Sequence, residues 1–356
     1  MTLRNFAARQ PTVPMAATWY LADLGEARGK QELFTNQSPQ RLKVLRAHAM
    51  IESAVSSNRI EGVEIDPARA KAVILGKPRL RDRNEEEVAG YRDALRLIHE
   101  SGDELAVSEK TVLRLHGLSR GDVWDAGKYK RKDIDIIETY PDGRSRVRFK
   151  SLPAKATPKA MAELVSLWEN ALDQRDLHPL IALAAFNLDF LCIHPFRDGN
   201  GRVSRLLLLL QCYHLGLEVG RYISLERIVE QHKDRYYETL ERASAGWHEG
   251  KHDPWPYINY LFFILKTAYR EFEERLGQVK APRGEKTRVV VAAISRSHGT
   301  FSVADLQRAC PGVSVDMIRH VLKVLKKSGD VEPIGRGRHA SWRQVKTELG
   351  KNSPIR

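Results

Sequence analysis

Residues 194–205 read HPFRDGNGRVSR, and the fold follows from how this stretch is read. His194 closes an apolar run that begins at Pro179, and two glycines then lead directly into a second apolar run through Leu215. A helix that is apolar almost all round has to be buried, so Leu206 to Leu210 put residues 202–215 at the centre of the molecule. A glycine-rich approach to a helix exposes backbone N–H groups at the positive end of the helix dipole, which favours an anion such as phosphate. Gly199, Asn200 and Gly201 are the candidate cradle. Arg202 and Arg205 share a face of the first turn, where guanidinium groups grip phosphate oxygens in bidentate fashion. Asp198 adds a carboxylate suited to a magnesium ion that bridges phosphates, and His194 adds a group able to take a proton near neutral pH. A solvated turn is the competing reading of Asp198-Gly-Asn-Gly. Arginines that abut a buried helix, however, need partners.

Working outward, residues 158–172 and 179–192 have helical spacing, as do 226–245 and 254–276. Upstream, Ser38 to Ile60 is a helix with Leu42, Leu45 and Ala49 on one face, and Gly62 stands where a helix commonly ends in a left-handed residue. Residues 129–150 interrupt the helices: Ile134 with Ile136 and Val147 with Phe149 alternate about Pro141-Asp142-Gly143, the pattern of a β-hairpin. The stretch GQVKAPRGEK marks a linker at 277–286. Beyond it, helices are expected over 287–297, from a Ser302 cap to Ala309, and from Ser314 with Val315, Ile318, Leu322 and Leu325 on one side. Two short strands around Gly335-Arg336-Gly337-Arg338 complete the pattern of a winged helix-turn-helix.

The chain has 356 residues, 42% of them hydrophobic, with a net charge of +13. No run approaches the ~18 apolar residues of a membrane helix, and the N-terminus lacks the apolar core of a signal peptide, so a cytoplasmic address is expected. Cys192, Cys212 and Cys310 show no metal or disulfide spacing and read as buried thiols. Residues 281–356 hold 15 Lys or Arg against 6 Asp or Glu, which concentrates the basicity in the tail and points to an acidic partner or to a solvated face.

The central stretch resembles the Fic signature, His-x-Phe-x-Asp/Glu-Gly-Asn-Gly-Arg-x-x-Arg, at all eight specified positions: His194, Phe196, Asp198, Gly199, Asn200, Gly201, Arg202 and Arg205. The resemblance extends over roughly residues 10–275 and implies a mainly α fold, a Fic helical core with a β-hairpin flap. It implies a Mg²⁺-dependent nucleotidyltransferase that moves AMP from ATP to a Ser, Thr or Tyr hydroxyl of a target protein or of itself. His194 would be the base and Asp198 the Mg²⁺ ligand. Gly199 to Arg205, Val203 and Ser204 included, would hold the nucleotide with Tyr236, while Phe196 anchors the loop. Lys150 and Ser151 of the flap would align the target. Ser57-Asn58-Arg59-Ile60-Glu61-Gly62 resembles the family's inhibitory motif, with Glu61 expected to pair with Arg205 and Ser57 on the same helix face.

The expected division is an N-terminal helical region 1–105 with inhibitory helix 38–62, a catalytic core 106–276, a linker 277–286, a winged helix 287–345 and a tail 346–356. Two alternatives stay open. One is a DNA-binding regulator that uses Arg319, Lys323, Lys326, Arg336 and Arg338; the other transfers a different phosphate-linked group, such as UMP or phosphocholine. The expected partners are a protein carrying an acceptor hydroxyl and, for the tail, DNA; no membrane is expected, and a homodimer is left open.

Overall fold

The computed structural model describes residues 1–35, 39–76, 79–139, 143–278, 285–297, 299–310, 313–335 and 341–345. They form two compact units, Met1–Gln31 with Leu42–Glu274 and Glu32–Arg41 with Arg275–Arg356. The first unit is built from α1 (Thr2–Ala8), α2 (Met15–Thr35), α3 (Pro39–Ile60), α4 (Pro67–Leu75), α5 (Arg83–Ser101), α6 (Glu109–Arg120), β1 (Asp135–Thr139) and β2 (Ser145–Lys150). It continues through α7 (Thr157–Gln174), α8 (Pro179–Ile193), α9 (Asn200–His214), α10 (Leu225–Gln231), α11 (Lys233–Ser244) and α12 (Trp255–Gln278). Side-chain caps start the helices where the sequence provides them: Asp66, Asp82, Ser108 and Ser224 each accept from a backbone N–H of the first turn.

The core lies on α8 and α9. Every residue of α8 after Pro179 is buried, and so is every residue of α9 from Arg202 to Tyr213. Each fully buried leucine of the run Leu206 to Leu210 contributes roughly 1.5–3 kcal/mol relative to exposure. Two polar side chains of α8 in this interior are fully paired, as burial favours, whereas the buried Gln211 amide of α9 has no hydrogen-bond partner among the described residues. Asn187 donates to the Ser204 carbonyl at 2.8 Å and accepts from Tyr257 Oη at 2.7 Å. Buried Asp189 accepts from the N–H groups of Thr2 and Leu3 at 2.6 and 2.9 Å and from Trp247 Nε1 at 2.7 Å, so a carboxylate of the central helix caps α1.

The expected hairpin is present: β1 and β2 pair antiparallel, with a bulge between Ile136 and Ile137, and Gly143 adopts φ +83°. Pro141 and Asp142 of its turn lie outside the described residues. The helix expected over 226–245 is two helices instead, because His232 leaves helical geometry at φ −117° and ψ 33° and α11 starts afresh after it.

Besides the end of α2, the start of α3 and the end of α12, the second unit comprises α13 (Glu285–Arg296), β3 (Thr300–Ser302), α14 (Val303–Ala309), α15 (Val315–Lys327), β4 (Val331–Ile334) and β5 (Ser341–Gln344). Its sheet runs β3-β5-β4 with antiparallel neighbours. Val290, Ile294, Phe301, Leu306, Ile318 and Leu322 help form its own buried core. Ser302 and Asp305 make a reciprocal capping box at α14. Pro333, which cannot donate to a ladder, sits in the edge strand β4. The short strand β3 was not expected. Arg336 and Arg338 and the whole tail 346–356 lie outside the described residues, as do positions 279–284 of the expected linker. Cys192, Cys212 and Cys310 are buried and free. Among the described residues no helix is long and apolar enough to cross a membrane.

Candidate functional site

His194 caps α8 in the left-handed conformation, φ 51°, which turns the chain sharply out of the core. Gly199 is also left-handed, at φ +81°, and starts α9. Between them the Asn200 side chain closes the loop on itself: its Oδ1 accepts from Phe196 N–H at 2.9 Å and its Nδ2 donates to Phe196 O at 2.8 Å. Phe196 is fully buried and stacks on His116 of α6, with ring centroids 3.7 Å apart and planes 3° from parallel. His116 Nδ1 accepts from Gly127 N–H at 2.9 Å, which leaves the ring proton on Nε2 to be donated to Asp198 O at 3.1 Å. Burial lowers the His116 pKa to about 4, so the ring is neutral.

The motif arginines are held by α3, α5 and α6. Arg202 is buried; its Nη1 donates to Glu87 Oε2 and to Asn58 Oδ1, the latter at 3.2 Å. Glu87 also accepts from Arg83 and Arg120, each at 3.1 Å, and Arg120 reaches Asp198 Oδ2 at 2.7 Å. The Asp198 carboxylate remains half exposed at the mouth of the loop. Arg205 donates from Nε to Ser57 Oγ at 2.8 Å and from Nη2 to Ser57 O at 2.9 Å and Glu61 Oε1 at 2.7 Å. Burial opposes the Arg205 charge, and the neighbouring Glu61 carboxylate more than offsets it, so the guanidinium is held above its ordinary range. Its Nη1 is buried without a hydrogen-bond partner. A Cβ at Gly201 would stand 2.3 Å from Glu61 Oε1, which places that carboxylate against the first turn of α9, where N–H groups attract an anion.

A cleft of about 390 Å³ opens beside this turn, between α11 and the hairpin, and Glu61, His194, Gly201, Tyr236, Tyr237 and Arg148 are among its walls. The hairpin is fastened to the far wall: Arg148 donates to Tyr237 O and lies 4.9 Å over the Tyr237 ring, and Arg146 reaches Glu241 at 2.9 Å. At its base, Lys130 donates to Ser151 Oγ at 2.7 Å and to Ile193 O at 3.2 Å, and its own N–H bonds Pro195 O at 2.9 Å. The Lys150 carbonyl accepts from His248 at 2.7 Å. Burial lowers the His194 pKa to about 4 and the Lys130 charge adds to the effect, so His194 is neutral; its Nδ1 is buried and unpartnered. Burial also lowers the Lys130 pKa, to about 8.

Of the residues singled out in the sequence, Glu61, His194, Gly201 and Tyr236 meet in one cleft. Ser57, Val203 and Ser204 are buried behind it. Arg202 faces Glu87, and Asp198 faces Arg120. Lys130, Glu87 and His116 carry much of the site's support and were not anticipated. Among the described residues no cluster of three metal-ligating side chains occurs. A lone half-exposed carboxylate still fits magnesium, which commonly takes one or two protein carboxylates and completes its shell with phosphates and water.

A histidine leaving a buried helix, followed by a glycine-flanked turn into a second buried helix, is the geometry of the stretch that resembles the Fic signature. Residues 106–212 match the Fic/DOC family, and this stretch of the chain is a Fic domain. The chain is 22% identical over 267 residues to the protein adenylyltransferase Fic of Nematostella vectensis, covering 72% of this chain and 57% of that one. It is 24% identical over 265 residues to its namesake from Drosophila grimshawi, covering 72% and 50%. It thus spans about half the length of the curated relatives it matches. A Fic family protein from Desulfovibrio desulfuricans superimposes with a TM-score of 0.61 at 25% identity, covering 96% of this chain and 99% of that one. Fic-1 of C. elegans shares the fold with a TM-score of 0.57 at 21% identity, covering 75% and 74%.

Proposed function

We propose that the chain is a protein adenylyltransferase that moves AMP from ATP to a Ser, Thr or Tyr hydroxyl of a target protein or of itself, restrained by its own Glu61. What supports the reading is one juxtaposition: neutral His194 and the N-terminal turn of α9 share a cleft in which a carboxylate already occupies an anion position. His194 accepts the hydroxyl proton, and the oxygen attacks the α-phosphorus of ATP. The bond to the bridging oxygen breaks and pyrophosphate leaves. The N–H groups of Gly199 to Gly201 and the Arg205 guanidinium bind phosphate oxygens and meet the charge that develops there. Magnesium, when bound, would neutralise phosphate charge and orient the leaving group, with Asp198 as its protein ligand. Tyr236 and Tyr237 form an aromatic wall suited to a base. The hairpin carries Lys150 and Ser151 and offers an edge for an extended target segment.

Restraint is a competition. Glu61 satisfies Arg205 in place of a phosphate oxygen, so ATP has to displace it. The test is label transfer to protein, with Mg²⁺ present, from α-labelled ATP, α-labelled UTP or choline-labelled CDP-choline by the parent chain, Glu61→Gly and Glu61→Gly with His194→Ala. Strong labelling from ATP in Glu61→Gly, weaker labelling in the parent and none without His194 is the expected result. Labelling that ignores His194, or that prefers another donor, overturns the assignment.

A further inference from the structure

We propose that the second unit binds duplex DNA through the outer face of α15. The helix divides cleanly: Ile318, Val321, Leu322 and Leu325 are buried in the unit's core, while Asp316, Arg319, His320, Lys323, Lys326 and Lys327 are exposed. At about 100° per residue these six positions fall within a sector of roughly 120°, so they form one continuous face. It carries four permanent cations and one carboxylate, and that carboxylate sits at the first turn, 3.5 Å from Arg319. No carboxylate among the described residues pairs with Lys323, Lys326 or Lys327.

Like charges three or four apart repel on a helix. Arg319 with Lys323, Lys323 with Lys326 and Lys323 with Lys327 stand in that relation. A self-repelling face becomes favourable when a polyanion supplies the missing negative charge. The residues on the face also discriminate between polyanions and proteins. Protein interfaces centre on apolar and aromatic anchors, and this face has none. Single strands need a row of aromatic platforms for successive bases, and the face offers only the His320 ring. The narrow major groove of duplex RNA excludes a helix, whereas that of B-DNA admits one. The order α13, β3, α14, α15, β4, β5 is that of a winged helix-turn-helix, in which the helix after the turn enters the groove.

The test measures binding of the full chain to a labelled duplex of mixed sequence by fluorescence anisotropy. Four phosphate contacts give a slope of about −3.6 in log K against log salt, so affinity should fall about 150-fold between about 50 and 200 mM NaCl. The triple variant Lys323→Ala, Lys326→Ala, Lys327→Ala, checked for unchanged thermal unfolding, should lose only about fourfold over that range. Adenylyl transfer by Glu61→Gly should be the same with and without the triple substitution. A salt-independent affinity, a triple variant that binds like its parent, or tighter binding of single-stranded DNA or duplex RNA overturns the proposal. Each of these outcomes is independent of whether the Fic domain transfers AMP.

Discussion

Replacing Glu61 by alanine in a His194→Ala background isolates the competition between carboxylate and nucleotide, because ATP can bind without being consumed. The carboxylate lies 2.7 Å from Arg205 Nη2, with the guanidinium side chain 5% exposed and the carboxylate side chain 25% exposed. A hydrogen bond to a charged group in such a setting contributes roughly 1.5–3 kcal/mol. Parent ATP binding forfeits that amount and the variant does not. At about 1.4 kcal/mol per decade, the variant should bind ATP about 10- to 150-fold more tightly. Isothermal titration with Mg²⁺-ATP reads the difference directly. The same quantity should appear with opposite sign in thermal unfolding without nucleotide: the variant leaves Arg205 Nη2 with only the Ser57 carbonyl and should melt earlier than its parent. Ser57→Ala is the control, since it removes the acceptor of Nε and leaves the carboxylate in place. A dissociation constant for Glu61→Ala within twofold of the parent would sink the reasoning, and so would an equal gain from Ser57→Ala.

The pH profile of transfer by Glu61→Gly should keep its activity as pH falls through 6.5, because the folded His194 pKa is lowered to about 4 and the ring stays neutral until then. An acid limb centred near 6.5 would contradict this. Lys130→Met removes a charge that holds that pKa down and should move the acid limb upward, while Lys130→Arg should restore it. His116→Phe keeps a ring against Phe196 but strands Gly127 N–H and Asp198 O, which should destabilise the fold by about 1–3 kcal/mol per buried group left unpaired, as read by urea unfolding. Gly90→Ala would put a Cβ 2.3 Å from the Leu118 carbonyl; a backbone oxygen cannot swing aside, so α5 and α6 must separate and the melting temperature should fall clearly.

How much of this was legible depended on whether a residue's partner lay within reach of local reasoning. The uninterrupted leucines of α9 demanded burial on every side and received it. Ser57 in the last turn of α3 and Glu61 just beyond its end meet the same guanidinium. Glu87 was invisible because it is the last of three consecutive glutamates that read as a solvated helix face. Only the packing of α5 on α9 selects it for Arg202, and this gives that arginine a buried carboxylate partner as well as any role toward phosphate. Asp189 stands out as a carboxylate within an apolar run, but its partners Thr2, Leu3 and Trp247 are distant in sequence. Lys130 resembles its exposed neighbours in the run KYKRK, and only the return of the hairpin over residues 193–195 buries it.

The contacts of α3 bear on how fast the proposed restraint could act. Glu61 is one of three α3-derived ties to the motif arginines: Ser57 holds Arg205 through both its hydroxyl and its carbonyl, and Asn58 holds Arg202. The Ser57 and Asn58 ties do not involve the carboxylate, so the helix would stay docked when Glu61 swings away. Release would then be a side-chain rotation, far faster than the departure of a helix. A transferase restrained in the proposed way would have no waking time. Its output would follow the prevailing nucleotide concentration, and rapid-mixing traces of parent and Glu61→Gly should differ in amplitude and rate while both start without a lag.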